Sequence, residues 1–246
     1  MQLGFLMAGV AGDMAQQKLD TISNNLANVN TAGYMEDRSS FASQFSNAMG
    51  REGNPDQTSA AFLSMNKQYV STQAGSVHHT GADFDFAING KAYFRVQLAD
   101  ESVALTRAGN FKIDAEGNLL TQGDLPVLNK DGAPITLPVG AVSGTQDGTI
   151  YVNGNPAAEL GLSMLRDERQ IIKAEGVIFK TDKGNMIEAD KTVSIHHGSL
   201  ENSNVNAILS MVSMIDTMRS YQSTMKIVEQ YNQQAGLLSD RVGVVQ

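Results

Sequence analysis

The chain has 246 residues, of which 41% are hydrophobic, so it can bury a sizeable core and is not expected to be disordered throughout. Its 18 Lys and Arg against 26 Asp and Glu give a net charge of -8, which argues against a nucleic-acid-binding protein and against electrostatic docking on anionic lipid. No cysteine is present, which excludes disulfides, thiolate catalysis and cysteine-ligated zinc.

No uncharged apolar run approaches the roughly 20 residues that a transmembrane helix needs. Residues 3–12 resemble the apolar part of a signal peptide, but no Lys or Arg precedes them, and Asp13 follows directly. We therefore expect this segment to belong to the mature protein, and any export to proceed without a cleaved signal peptide.

Residues 1–32 are predicted to form a long N-terminal helix. No proline interrupts residues 3–29, and apolar or small residues recur there in alternating steps of four and three, the spacing of a coiled-coil seam. This stripe comprises Ala8, Gly12, Ala15, Leu19, Ile22, Leu26 and Val29. Gly33 is placed to cap the C-terminal end of the helix.

Residues 199–246 are predicted to form a second long helix with the same rhythm. Its stripe comprises Met211, Met214, Met218, Tyr221, Met225, Val228, Asn232 and Ala235, broadened by Ile208, Val212, Ile215 and Leu238. The cluster of Asn202, Ser203 and Asn204 offers an N-cap.

The middle of the chain predicts β structure. Residues 33–76 are polar and weakly periodic, which is typical of an extended connector with partial order. Residues 77–198 contain turn dipeptides such as Asn89-Gly90 and Asn153-Gly154, so they predict hairpins in an antiparallel sheet or small barrel. The strand-like runs between the turns are 84–88, 93–98, 118–121, 149–152, 160–165 and 176–180. The predicted fold class is α+β, with terminal helices in a coiled-coil-like inner domain and a central antiparallel β domain.

The helical stripes are candidates for a subunit interface, because near-neutral helical ends can crowd together with little repulsion. Spacing alone leaves open that the two stripes pair with each other inside one monomer. The asparagines near residue 25 suit hydrogen bonding between subunits, or simple capping at the helix end. The predicted interface residues are Leu19, Ile22, Asn24, Asn25, Leu26, Asn28, Val29, Asn204, Val205, Ile208, Met211, Ile215, Met218, Tyr221, Met225 and Val228.

No catalytic, cofactor-binding or metal site is predicted, since the sequence contains no P-loop, no Gly-x-Ser-x-Gly and no His-Glu-x-x-His motif. Two histidine pairs occur at 78–79 and 196–197. Adjacent residues on a strand point to opposite faces, so neither pair readily chelates one metal. We predict instead that segments 75–81 and 192–198 pair as strands, with a histidine of one pair opposite a histidine of the other.

Five segments carry a family resemblance. They are LDTISNNLANVNTAGY at 19–34, DFAINGKAYFRV at 85–96, LTRAGNF at 105–111, DAEGNLLT at 114–121 and GSLENSNVN at 198–206. Together they resemble the flagellar axial proteins, the family of rod, hook and hook-associated subunits. The resemblance implies a structural, self-assembling subunit of the bacterial flagellar basal-body rod. Chain length and the C-terminal runs at 214–226 and 232–238 resemble the proximal rod type more than the distal type.

The resemblance further implies that the terminal helices form an inner layer around an export channel, with the β domain outside and torque transmitted through subunit contacts. The implied partners are further copies of the chain, other rod subunits and the flagellar type III export apparatus in the periplasm, without nucleic acid or membrane insertion. The residues alone leave two other classes open: a secreted β-domain enzyme with helical oligomerisation arms, and a coiled-coil adhesin or secretion adaptor.

Overall fold

The computed structural model describes residues 2–40, 67–190 and 192–242, of which 2–7, 40, 67–68 and 235–242 are described by their backbone. Two compact units are present. The helical unit comprises Met1–Ala27 and Asn206–Gln246, and the body comprises Asn28–Val205. Among the described residues, no helix combines the length and apolar character needed to cross a membrane.

The helical unit contains α1 (Gln2–Ala27) and α2 (Ala207–Val242), which contact each other. The prediction of two long terminal helices is confirmed, but both predicted caps are wrong. Helix α2 is capped by Asn206, whose Oδ1 accepts a hydrogen bond from the Leu209 amide at 3.1 Å. Helix α1 ends at Ala27, six residues before Gly33. Gly33 has a φ of 67°, and its contacts in the body are described below.

The described part of the body contains seventeen short strands. They are β1 (Asp37–Ser40), β2 (Lys67–Val70), β3 (Val77–His79), β4 (Phe86–Asn89), β5 (Ala92–Gln97), β6 (Val103–Thr106), β7 (Lys112–Ile113), β8 (Leu119–Leu120), β9 (Val142–Gly144), β10 (Thr149–Val152), β11 (Asn155–Glu159), β12 (Leu162–Leu165), β13 (Ile172–Glu175), β14 (Ile178–Lys180), β15 (Met186–Glu188), β16 (Ser194–His197) and β17 (Ser199–Glu201). Each of the six predicted strand-like runs overlaps one of them, and the described strand pairs are all antiparallel. The α+β fold class is confirmed.

A six-stranded sheet of order β13-β14-β6-β5-β12-β15 forms the centre of the body. Successive residues of β5 point to opposite faces, so Phe94 and Val96 enter the main core while Tyr93 enters a second, smaller core. The second core also holds Met35, two residues before β1, and Val70, the last residue of β2. Both faces of the sheet are therefore covered.

The predicted connector is partly built into this core. Tyr34 is 1% exposed and Met35 is 3% exposed. Strands β1 and β2, which lie at the two ends of the predicted connector, pair with each other. Residues 33–40 and 67–76 are thus part of the folded body. Residues 41–66 of the predicted connector lie outside the described residues.

The two histidine pairs lie on different strand pairs. Strand β3 pairs with β17, which places His79 opposite Ser199, whereas β16 pairs with β4, which places His197 opposite Phe86. The prediction that segments 75–81 and 192–198 pair with each other as strands is therefore wrong; they meet at Gly198, whose carbonyl accepts from the Thr80 and Gly81 amides at 2.8 and 3.0 Å. Gly198, at a φ of 65°, turns the chain between β16 and β17, so the second histidine pair is carried onto a different partner strand.

Candidate assembly interface

The predicted stripe of α1 lies on the less exposed side of the helix. Ala8 and Gly12 are buried, and a Cβ on Gly12 would lie 3.7 Å from Met225 Sδ and 3.9 Å from Thr224 Cγ2 of α2. Half-buried members of the stripe are Leu19, Ile22 and Leu26, with Val29 in the turn beyond the helix. Small residues in α1 therefore allow a close approach to α2.

The three predicted asparagines near the end of α1 have different surroundings. Asn25 is 3% exposed, whereas Asn24 is exposed. Asn28 follows the helix, and its Oδ1 accepts a hydrogen bond from the Thr31 hydroxyl at 3.2 Å. Asn28 thus stabilises the turn after α1, and Asn25 contributes to the interior of the fold.

Only every second residue of the predicted stripe lies on the less exposed face of α2. Half-buried members of that stripe are Met214, Tyr221 and Val228, and exposed members are Met211, Met218 and Met225. Ser210 and Thr217 are buried instead, and Thr224 is half-buried. The hydroxyls of Thr217 and Thr224 donate to carbonyls one turn back, at 2.7 and 2.9 Å, so they can be buried without another partner.

The most apolar side of α2 is exposed. This α2 stripe comprises Ile208, Met211, Val212, Ile215 and Met218. Exposed fractions run from 47% at Met218 to 75% at Ile208, and residues 207–215 contain no charge. A contiguous apolar surface of this kind marks an interaction site, because isolated soluble proteins rarely expose one.

Asn204 and Val205 belong to the body rather than to α2. Segments 33–37, 70–76 and 199–205 meet at one place in the body, which we call the junction. The Asn204 amide group donates to the carbonyls of Ser71 (2.9 Å) and Gln73 (2.8 Å) and accepts from the Glu36 amide (2.7 Å). Val205 is 7% exposed. These two predicted interface residues therefore make contacts within the chain.

A buried ion pair lies at the centre of the junction. Arg107 Nε and Nη2 each lie 2.8 Å from Glu201 Oε2, and both side chains are 4% exposed. Arg107 Nη1 also donates to the carbonyl of Gly90 at 2.8 Å and to that of Ala92. The guanidinium is thus surrounded by a carboxylate and two backbone carbonyls.

Two glycines allow the backbone to close around this pair. Glu201 Oε1 accepts from the Gly75 amide, and the Glu201 carbonyl accepts from the Gly33 amide, each at 2.8 Å. A Cβ on Gly33 would lie 2.2 Å from the Ala108 nitrogen, and one on Gly75 would lie 1.9 Å from the Asn202 oxygen. No side chain fits at either place, so glycine is required at both.

A second charge contact secures the first segment of the junction. Lys173 Nζ lies 3.9 Å from the centre of the Tyr34 ring, 2.8 Å from Asp37 Oδ2 and 2.9 Å from the Met35 carbonyl. Burial lowers the pKa of Lys173, against the opposing effect of Asp37. Burial raises the pKa of Tyr34, and the negative charge of Asp37 raises it further.

The junction brings together segments that resemble the flagellar family but are far apart in sequence. Gly33 from segment 19–34 packs on Arg107 and Ala108 from segment 105–111. Gly33 and Arg107 each contact Glu201 from segment 198–206. The sequence identifies these segments but does not reveal where they meet. The available signal was an Arg and a Glu at strand ends, each within three residues of a glycine.

His197 packs on an aromatic ring and makes a local hydrogen bond. The His197 ring lies 5.3 Å from the Phe86 ring between centroids, and its Nε2 lies 2.9 Å from the Asp83 carbonyl. Within the described part of the chain, no three His, Asp or Glu side chains are grouped so that they could hold a metal.

Three family models match the chain. A model described as "Flagellar hook protein FlgE/F/G D1 domain" matches residues 87–154, "Flagellar basal body rod FlgEFG protein C-terminal" matches 196–240, and "Flagella basal body rod protein" matches 11–34. The matches cover both helices and part of the body.

Curated relatives match over almost the whole chain. The flagellar basal-body rod protein FlgF of Rhizobium meliloti is 32% identical over 236 residues, covering 91% of this chain and 90% of the relative. FlgF of Mesorhizobium japonicum is 31% identical over 229 residues, covering 92% of each chain. The rod protein FlgG of Bacillus subtilis is 30% identical over 253 residues, covering 91% of this chain and 93% of the relative.

Proposed function

This chain belongs to the family of flagellar basal-body rod proteins, and from this premise we propose that it is a FlgF-type structural subunit that assembles into the rod through its terminal helices. The role is structural: the chain contributes contacts between subunits rather than a reaction. The single observation that carries the assembly mode is the exposed α2 stripe beside a face of α2 that is already less exposed.

The proposed mechanism uses the two faces of α2 for different contacts. The face with Ser210 and Thr217 packs within the helical unit, as in a coiled coil, and the α2 stripe packs against neighbouring subunits. Methionines in the stripe can adapt to neighbours of different shape. Many such contacts, repeated around the rod, would line an export channel and transmit torque.

The proposed interface keeps most of the residues predicted from the sequence. It centres on Ile208, Met211, Ile215 and Met218, with Leu19, Ile22, Leu26, Tyr221, Met225 and Val228 supporting the helix pair; Met225 belongs there because its Sδ lies beside Gly12 of α1. Asn204 and Val205 are assigned to the junction, because their contacts lie within the body.

The proposed partners are further copies of this chain and the adjoining rod subunits, in the periplasmic basal body. Delivery by the flagellar type III export apparatus, with the N-terminus retained, completes the proposal. The FlgF type is favoured by relatives of that name at 32% and 31% identity. A FlgG-type distal rod subunit is the second candidate, supported by relatives at 30% identity.

The test introduces a charge into the α2 stripe. Ile215→Glu, expressed in cells that lack their own copy, should abolish swimming and recovery of the chain in purified basal bodies, because a carboxylate buried in an interface costs several kcal/mol. The matched control is Ser220→Glu, at an exposed polar position of the same helix outside the stripe. Normal assembly of Ile215→Glu would reject the proposed interface.

A further inference from the structure

The buried ion pair joins residues that are 94 positions apart in sequence. Arg107 directly follows β6 in the central sheet, whereas Glu201 is the last residue of β17. We propose that this pair is a latch: the body reaches its folded state only when β17 brings Glu201 to Arg107.

An unpaired buried charge at Arg107 is costly. The Arg107 guanidinium is charged, and its side chain is 4% exposed in the folded body. Without Glu201 it keeps the carbonyls of Gly90 and Ala92 but loses the carboxylate that balances its charge. Removing one partner of a buried ion pair is strongly destabilising, in contrast to loss of an exposed pair.

Glu201 orders several segments at once. Its carboxylate also holds the Gly75 amide, and its carbonyl holds the Gly33 amide. The next residue, Asn202, donates its amide to the Ser76 carbonyl at 2.8 Å. Docking of β17 therefore fixes segments 33–37 and 70–76 together with Arg107, and all of these contacts form or break together.

Residue 201 follows strands β1–β16, so a chain segment that stops before it holds the central sheet but not the pair. The latch therefore keeps the body open until its final strand is available. The inference concerns when the chain folds and is independent of what the folded subunit joins.

The experiment measures native-state hydrogen exchange on the full-length protein and its Glu201→Gln variant. Junction reporters are the amides of Gly33 and Asn202, and core reporters are those of Val127 and Leu128, which bond to the Leu119 and Arg95 carbonyls at 2.9 Å. Glu159→Gln is the control. It removes the charge from a surface pair with Lys130, where the two side chains are 46% and 52% exposed.

The latch predicts that Glu201→Gln lowers protection of junction and core amides in parallel, on the order of 100-fold, while Glu159→Gln changes both less than about threefold. Loss of protection confined to the junction amides would overturn the proposal, because the core would then close without the pair.

A second variant covers the case in which Glu201→Gln does not fold. Arg107→Met/Glu201→Leu removes both charges and leaves apolar side chains of similar reach. The latch predicts that this double variant folds, because no unpaired charge remains. A double variant as unfolded as Glu201→Gln would show that the charge of Arg107 is not the cause, and would also overturn the proposal.

Discussion

Tyr93 illustrates how a single buried side chain makes stability depend on pH. Its ring is 4% exposed, between the Phe179 ring at 6.2 Å and the Arg107 guanidinium at 5.7 Å from the ring centre. Burial raises the pKa of Tyr93 from 10.0 to about 12, although Arg107 acts in the opposite direction. The folded protein therefore holds this proton at a pH where the unfolded chain releases it.

The pH dependence follows from this difference. The contribution of Tyr93 is fully present below pH 10 and is lost as the pH rises towards 12, so the free energy of unfolding should fall by about 2 kcal/mol from this group by pH 11.5. Urea unfolding of Tyr93→Phe should show a correspondingly smaller fall, since the hydroxyl oxygen is 4.0 Å from Met35 Sδ and little else changes. Tyr69→Phe, which removes a 47% exposed ring hydroxyl, is the control. Identical pH profiles for wild type and Tyr93→Phe would contradict the assignment.

Contacts of individual side chains were less predictable from the sequence than the positions of helices and strands. The turn glycines were identifiable, but the reason for Gly33 was not, because its neighbour Ala108 is 75 positions away and is brought near by folding alone. The same holds for Arg107 and Glu201, whose pairing depends on strand order rather than on local pattern.

At the element scale, local periodicity predicted both helices and six strand positions correctly. The order of the six-stranded sheet was not predictable, because β5 pairs with β12 and β14 with β6 across long stretches of sequence. The face of α2 that packs within the helical unit was not predictable for a different reason. Hydrophobicity selects the most apolar stripe, and in α2 that stripe is exposed, whereas the less exposed face uses Ser210 and Thr217.

The helix contact at Gly12 gives an element-scale prediction. A Cβ there makes ordinary contacts at 3.7 and 3.9 Å, so Gly12→Ala should stabilise α1 by up to about 1 kcal/mol through helix propensity. Gly12→Leu should instead separate the helices and destabilise them by about 1–3 kcal/mol. Thermal unfolding followed by helical circular dichroism measures both effects.

Gly9 provides the matched control, since no atom lies within 4 Å of a Cβ at that position. Gly9→Leu should retain or improve helix stability. If Gly12→Leu were as stable as Gly9→Leu, α1 and α2 would not be in close contact at Gly12.

At the scale of the whole molecule, the two units differ in how completely they bury apolar surface. The body encloses two cores and a buried ion pair, whereas α2 exposes a continuous apolar stripe. This contrast and membership of the rod family together support the proposal made above. In that proposal the body folds by itself, and the helices complete their packing only in the assembly.

Cysteine accessibility tests this central claim most directly, because the chain has no cysteine of its own. Met218→Cys lies in the α2 stripe, and Ala133→Cys lies in an exposed turn of the body as the control. Both should react with a bulky maleimide in the purified monomer. In intact basal bodies, we expect Met218→Cys to be protected while Ala133→Cys still reacts. Equal reaction of Met218→Cys in basal bodies and in the monomer would contradict assembly through the α2 stripe.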